Sequence, residues 1–167
     1  MVGTRIAPSP LSRRPGKEIG RVQSFITCES VNRLIAVGRE NVLVLDEAAL
    51  FTDDPVRQGR LREQSNSHSL MLHKLEGYVA RIGGVAITKA SFHARVRAFL
   101  RKLRGLFGSQ REQQIITACL NAEIRTEAAY AAALALKLSP ASRYDLKHQS
   151  DEISAYREYL KGLAQQA

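Results

Sequence analysis

The sequence contains few of the residues that stabilise small secreted folds or anchor proteins in membranes. Its 167 residues include two cysteines, five prolines and no tryptophan, and aromatic residues make up 6%. Two cysteines, Cys28 and Cys119, exclude a disulfide-rich scaffold and a four-thiolate zinc site. No apolar run approaches the ~18 residues that a transmembrane helix needs. We therefore expect a cytoplasmic protein with reduced cysteines and no transmembrane span.

The composition supports one folded domain with a basic tail. A hydrophobic fraction of 44% is enough for a core, and the net charge is +9. Residues 1–27 carry five basic residues and one acidic residue. The part up to about Arg21 holds three of the five prolines and shows no helical apolar period. This pattern is typical of disorder. We predict a disordered basic tail over residues 1–27 and one domain over residues 28–167.

Capping residues and prolines mark the beginnings of helices. Asp54-Pro55 and Ser139-Pro140 each place a capping side chain before a proline suited to the first helical turn. Apolar residues recur with a period near 3.6 over residues 29–51, 55–82, 110–137 and 140–163. Short connections join these segments into two antiparallel hairpins, which can stack as an all-α four-helix bundle. Residues 83–109 would then cross over the bundle.

Polar side chains interrupt the apolar stripes of three predicted helices. They are His68 on the second helix, Glu123 and Glu127 on the third, and Gln149 on the fourth. A buried carboxylate costs several kcal/mol unless it is paired or bound to a metal. One interpretation is a buried hydrogen-bonded cluster of His68, Glu123 and Gln149 that fixes the register of the helices. Another is that the assigned face is off by one position and these residues meet water.

A metal centre is the third interpretation of these residues. Carboxylates and histidines inside a long bundle are the ligands of di-iron and di-manganese sites. The candidate ligands for iron or manganese are Glu123, Glu127, Glu76, His73 and Glu152. A ferritin-type centre takes Glu-x-x-His from two helices, and this chain contains no Glu-x-x-His. The predicted metal site is therefore degenerate, and no catalytic residue is assigned.

The predicted crossover contains a basic amphipathic segment. Residues 77–111 carry eight basic residues and no acidic residue. Within residues 91–107, apolar side chains fall on one helical face and cations surround them. The cations are Arg95, Arg97, Arg101, Lys102 and Arg104. Such a helix can dock its apolar face on the bundle, and its charges can contact a nucleic-acid backbone or anionic lipid.

Several short segments resemble a known family in their order and spacing. They are VNRLI at residues 31–35, Asp54-Pro55, YVARIGG at residues 78–84, the Ala118–Glu123 segment, Tyr130 with the alanines after it, and Gln149 with Ile153. Over residues 30–163 the chain resembles a small bacterial ferritin-like family known as a domain of unknown function, of the DUF 2383 type. The resemblance implies an all-α, ferritin-like up-down four-helix bundle with a short helix in the crossover between helices 2 and 3. It also implies a di-metal ancestry without implying ferroxidase activity.

Together these observations predict a ferritin-like bundle with a structural or stress-associated, non-enzymatic role that forms a homo-oligomer. Two alternatives stay open. The first is an iron- or manganese-binding ferritin-like protein. The second is a binder of nucleic acid or anionic surfaces that uses the basic tail and the crossover helix.

Overall fold

The structure is a computed structural model that describes the backbone of residues 15–87 and 93–165 and the side chains of residues 24–87 and 96–165. These described residues form five helices and no strand. The helices are α1 (Pro15–Phe51), α2 (Pro55–Arg81), α3 (His93–Arg104), α4 (Gly108–Leu134) and α5 (Pro140–Ala164). The predicted all-α class and the predicted short crossover helix are confirmed.

Side-chain caps set the beginnings of α2 and α5. The Asp54 side chain accepts from the backbone N–H groups of Val56 and Arg57, and the Ser139 hydroxyl accepts from the backbone N–H of Ser142. Each cap satisfies donors that the first turn of a helix leaves free. After α2, Gly83 adopts a φ of +78°, a conformation that favours glycine. The backbone N–H of Gly84 donates to the carbonyl of Val79 at 3.0 Å, which closes the end of the helix.

The contacts between helices define the direction of each one. α1 packs against α2 and α4, and α4 packs against α5. Asn41 bonds Thr126 and Thr52 bonds Glu112, so α1 and α4 are antiparallel. Glu112 also pairs with Arg57, which lies early in α2, so α2 and α4 are parallel. A parallel pair needs a long connection, and residues 82–107, which include α3, supply it.

The core divides into two apolar clusters along the bundle axis. The first joins all four long helices through side chains such as Ile35, Leu75, Tyr130 and Ile153. The second includes Leu45, Leu61, Ile115 and Leu160. Two residues of α3, Val96 and Leu103, are buried in the second cluster. The apolar face of α3 therefore docks on the bundle.

The beginning of α1 corrects the predicted boundary of the tail. The helix begins at Pro15, so residues 15–27 belong to α1. Pro15 is suited to a first helical turn, and Ile19, Val22 and Ile26 continue the helical spacing in the sequence. The high content of basic residues in this segment led to the prediction of disorder in spite of this period. Residues 1–14 of the predicted tail lie outside the described residues, and no helix in the described part is both long and apolar enough to cross a membrane.

Candidate functional site

A layer of polar side chains crosses the bundle between the two apolar clusters. We define this polar layer by Glu40 and Asn41 of α1, Gln64 and His68 of α2, and Glu123 and Thr126 of α4. Asn41, His68, Glu123 and Thr126 are each between 0% and 2% exposed. They are buried because they continue the inward stripe of their helices. His68 is three residues before Met71, for example, and Glu123 is four residues after Cys119.

The contact between His68 and Glu123 is central to the polar layer. The His68 Nε2 lies 3.0 Å from the Glu123 Oε1. Two amide nitrogens approach the same ring nitrogen, that of Gln64 at 3.2 Å and that of Asn41 at 3.5 Å. Because a carboxylate oxygen only accepts, the His68 Nε2 donates when Glu123 is ionised. The Asn41 Nδ2 then has Thr126 as its acceptor, at 3.1 Å from the hydroxyl oxygen.

Two buried oxygen atoms in the polar layer have no hydrogen-bond partner among the described residues. They are the Asn41 Oδ1 and the Glu123 Oε2. An unsatisfied buried acceptor costs about 1–3 kcal/mol. Such a cost is found where a polar network serves specificity or binding more than stability.

The layer also affects the titration of its neighbours. Burial, followed by the charge of Glu123, raises the pKa of the Cys119 thiol. Burial, followed by the charges of Glu152 and Glu123, raises the pKa of the Tyr130 hydroxyl. Both groups are therefore protonated at neutral pH. Neither is an activated nucleophile, since nucleophilic cysteines have a depressed pKa.

The structure separates the predicted metal ligands. Glu76 accepts from Arg39 at 2.6 Å, while Glu127 pairs with Arg157 and accepts from Ser154. Glu152 lies 3.0 Å from His148. The exposed His73 lies 2.8 Å from the carbonyl of Ser69. Glu123 is the member of the set that lies in the polar layer.

This arrangement does not fit a two-metal centre. In the part of the chain that the structure describes, no three His, Cys, Asp or Glu side chains converge as a ligand set. A ferritin-type centre needs a Glu from each of two helices and a Glu and a His from each of the other two. Two of the candidate carboxylates, Glu76 and Glu127, form salt bridges with arginines. This is the physical reason why the candidate ligands do not fit a two-metal centre.

The predicted buried polar cluster is divided between two places. The structure brings His68 and Glu123 together. Gln149 is also buried, at 4% exposure, but its Oε1 accepts from the Tyr130 hydroxyl at 2.8 Å. Asn41 and Thr126 were not predicted from the sequence. Asn41 follows Gly38 by three residues and precedes Leu45 by four, so its place on the inward stripe was a usable signal.

The basic residues of α3 face outward. Arg97, Arg101, Lys102 and Arg104 are exposed, and the Arg95 side chain lies outside the described residues. Beneath α3 there is a cavity of ≈ 320 Å³ between α1, α3 and α4. Lys102 and Arg125 lie at this cavity. Arg125 also bonds the buried Glu40 at 3.1 Å.

Comparison with known proteins supports the fold. Neither a family model nor a curated protein matches the chain. A solved structure from Anabaena variabilis, of a two-domain protein containing DJ-1/ThiJ/PfpI-like and ferritin-like domains, matches it with a TM-score of 0.64 at 15% identity. The match covers 86% of this chain and 40% of that one. The five described helices thus form an all-α, ferritin-like bundle, and at this identity the likeness concerns the fold alone.

Proposed function

We propose that this protein is a ferritin-like bundle with a structural, non-enzymatic role, in which a hydrogen-bonded polar layer has taken the place of a di-metal centre. The observation that carries the proposal is the pairing of its carboxylates. Glu123 faces His68, Glu76 pairs with Arg39 and Glu127 pairs with Arg157. At Glu76 and Glu127 an arginine guanidinium stands where a metalloprotein would place a metal ion.

The arginine pairs argue against metal binding on energetic grounds. The paired side chains of Arg39, Glu76, Arg157 and Glu127 are each between 24% and 30% exposed. Their hydrogen bonds are therefore partly desolvated, and charge-assisted bonds of this kind are about twice as strong as neutral ones. A metal ion would have to displace each arginine from its carboxylate, although Arg39 would keep the carbonyl of Ile87 and Arg157 would keep Glu158 as acceptors. His68 and Glu123 alone offer fewer ligands than the four that a structural zinc site uses.

Metal analysis separates this proposal from the iron- or manganese-binding alternative. Protein purified without chelator should contain iron and manganese far below one ion per chain, and EDTA should leave its thermal unfolding unchanged. Neither Glu123→Ala nor the exposed control Glu63→Ala should alter the metal content. Near-stoichiometric metal that is lost in Glu123→Ala and kept in Glu63→Ala would establish the alternative.

A second candidate function is the binding of nucleic acid through the basic face of α3. The observation that favours it is that Val96 and Leu103 are buried while Arg101, Lys102 and Arg104 are exposed. The apolar face is occupied by the bundle, so it cannot insert into a lipid surface as an amphipathic anchor does. The cations are free to approach a phosphate backbone without that face.

Salt dependence tests this second candidate. Binding to duplex DNA should weaken steeply between about 50 and 200 mM salt, because cations that contact phosphates release counterions. Changing Arg101, Lys102 and Arg104 to glutamine should weaken it further, whereas the matched change of Arg62 on α2 should not. Salt-insensitive or absent binding to DNA would remove this function, and binding to anionic vesicles alone would assign the surface to lipid.

Three further expectations belong to the same proposal. The chain is proposed to be a bacterial member of the DUF 2383 family, supported by the segments that resemble it over residues 30–163. Its cytoplasmic location is supported by two free cysteines. Its self-association is supported by Leu50, Val56 and Phe107, which are 67–75% exposed at one end of the bundle. Sedimentation of the wild-type protein beside Leu50→Gln tests this last expectation.

A further inference from the structure

The seam between α2 and α5 differs from the other seams of the bundle. These two helices are not among the closely packed pairs of described helices. Side chains bridge the seam along part of its length: Ser67 donates to Glu152 at 3.4 Å, and Arg60 lies 5.1 Å from the centre of the Tyr159 ring. Nearer the end of α2, the seam holds a cavity of ≈ 250 Å³. We call this the seam cavity.

The walls of the seam cavity are polar and its interior is partly apolar. Lys74, Tyr78 and Arg81 come from α2, and Ser142 and Asp145 come from α5. Leu75, Leu146 and Gln149 complete the lining. All three of these residues are buried or nearly so, at 3%, 3% and 4% exposure. The volume is close to the lower limit of small-molecule pockets, which suits a ligand of metabolite size.

The charged residues of the seam cavity are not committed to one another. Lys74, Arg81 and Asp145 are exposed at its mouth, and none of them forms a salt bridge with a described residue. Arg81 instead lies 6.0 Å from the centre of the Tyr78 ring. Two cations and one carboxylate give the mouth a formal charge of +1. This charge favours a monoanion, and the carboxylate of Asp145 disfavours a dianion such as a phosphate monoester.

Gln149 supplies an uncommitted donor at the buried wall. Its Oε1 accepts from the Tyr130 hydroxyl at 2.8 Å, which fixes the orientation of the amide. No described residue accepts from its amide nitrogen. Because Gln149 lines the seam cavity, an oxygen atom of a ligand can accept from this nitrogen. The tyrosine thus holds the glutamine with its N–H groups available to the cavity.

We propose that the seam cavity binds a small organic monocarboxylate. Arg81 and Lys74 bind the carboxylate, with the Gln149 amide as a further donor. The apolar part of the ligand packs on Leu75, Leu146 and the Tyr78 ring. A guanidinium and an amide both present planar N–H groups that match a carboxylate. This inference does not depend on the structural role proposed above, because the seam cavity lies apart from the polar layer residues.

Titration calorimetry with phenylacetate, phenylacetamide and phenyl phosphate tests the proposal on the full chain. Phenylacetate should bind about tenfold more tightly than the neutral amide, because the charge-assisted bonds require the carboxylate. It should also bind more tightly than the dianionic phenyl phosphate. Equal binding of the acid and the amide, or no binding of the acid, would overturn the proposal.

Variants locate the site. Arg81→Gln and Lys74→Gln are surface changes that should preserve folding, and each should weaken phenylacetate binding about tenfold. Lys102→Gln, at the cavity beneath α3, is the matched control and should leave binding unchanged. Gln149→Leu should also weaken binding, with its fold checked by thermal unfolding. Loss of binding in Lys102→Gln but not in Arg81→Gln would show that the seam cavity is not the site.

Discussion

The pair formed by His68 and Glu123 gives the sharpest test of the polar layer. The perturbation is a double-mutant cycle of His68→Leu, Glu123→Leu and the two together. Each single change removes one partner and leaves the other buried at 0–2% exposure. The double change replaces both by apolar side chains of similar volume and also removes the unpartnered Glu123 Oε2. The free energy of unfolding, measured by urea titration with circular dichroism, is the quantity compared.

The structure sets the expected magnitudes. If the pair is a neutral hydrogen bond, each single change should cost about 1–3 kcal/mol. If it is ionised, breaking it should cost about 3–5 kcal/mol. At about 2–4 °C per kcal/mol for a chain of this size, the ionised case lowers the Tm by roughly 6–20 °C. The double variant should lie within about 1 kcal/mol of the wild type or above it, because a buried ion pair can be replaced by well-packed apolar residues at little cost.

Two outcomes of the cycle would contradict a buried, coupled pair. Single losses below about 0.5 kcal/mol, the range of ordinary surface substitutions, would mean that the two side chains are not buried against one another. A double variant that loses the sum of the two single losses would mean that the residues act independently. The control is the same cycle on two exposed residues of α2, Arg62 and Glu63, each changed to leucine. It should show no coupling energy between them.

Three other results are expected elsewhere in the chain. Gly84→Ala should lower the free energy of unfolding in urea by about 1–3 kcal/mol, because the added Cβ would lie 2.3 Å from the Cys28 Sγ. Adding Cys28→Ala should recover part of this loss. No recovery would mean that the strain lies elsewhere. In the native protein a thiol reagent should label Cys28 and spare Cys119, whose pKa is raised by burial and then by Glu123; equal labelling rates would contradict this. Hydrogen bonds from Lys161 and then Arg157 hold the pKa of Glu158 below its ordinary value of 4.5. Glu158→Gln should therefore lower the Tm at pH values above 4.5, and the difference from wild type should disappear as the pH falls through the lowered pKa. A difference in Tm that grows on acidification would be inconsistent with the pairing.

Much of the fold was predictable from local signals. The beginnings of α2 and α5 follow from a capping side chain and a proline, a mechanism that involves four consecutive residues at most. The burial of Leu34, Leu72, Ile116 and Ile153 follows from a period near 3.6. The beginning of α1 was not predicted, because prolines and basic residues outweighed an apolar period that continues to Pro15.

The candidate site was less predictable because partners come from different helices. The inward positions of His68 and Glu123 could be read from their own helices. Arg157 forms a salt bridge with Glu127, and Arg39 forms one with Glu76. Each of these pairs depends on the rotation and register of one helix against another. Both arginines lie at the edge of an inward stripe, where the sequence pattern does not say whether a long side chain turns toward water or toward a carboxylate. The contacts in the structure show that both arginines turn toward a carboxylate.

The polar layer also has a consequence for the order in which the chain folds. Asn41 and Thr126 are 85 residues apart, and His68 and Glu123 are 55 residues apart. We expect Asn41 and His68 to remain hydrated until the second hairpin docks, because their partners Thr126 and Glu123 lie on α4. Local contacts form quickly and distant ones slowly, and docking of the two hairpins is the step that dehydrates these groups. We expect mismatched docking to be disfavoured at that step, because a shift of one turn would separate the Glu123 carboxylate from His68.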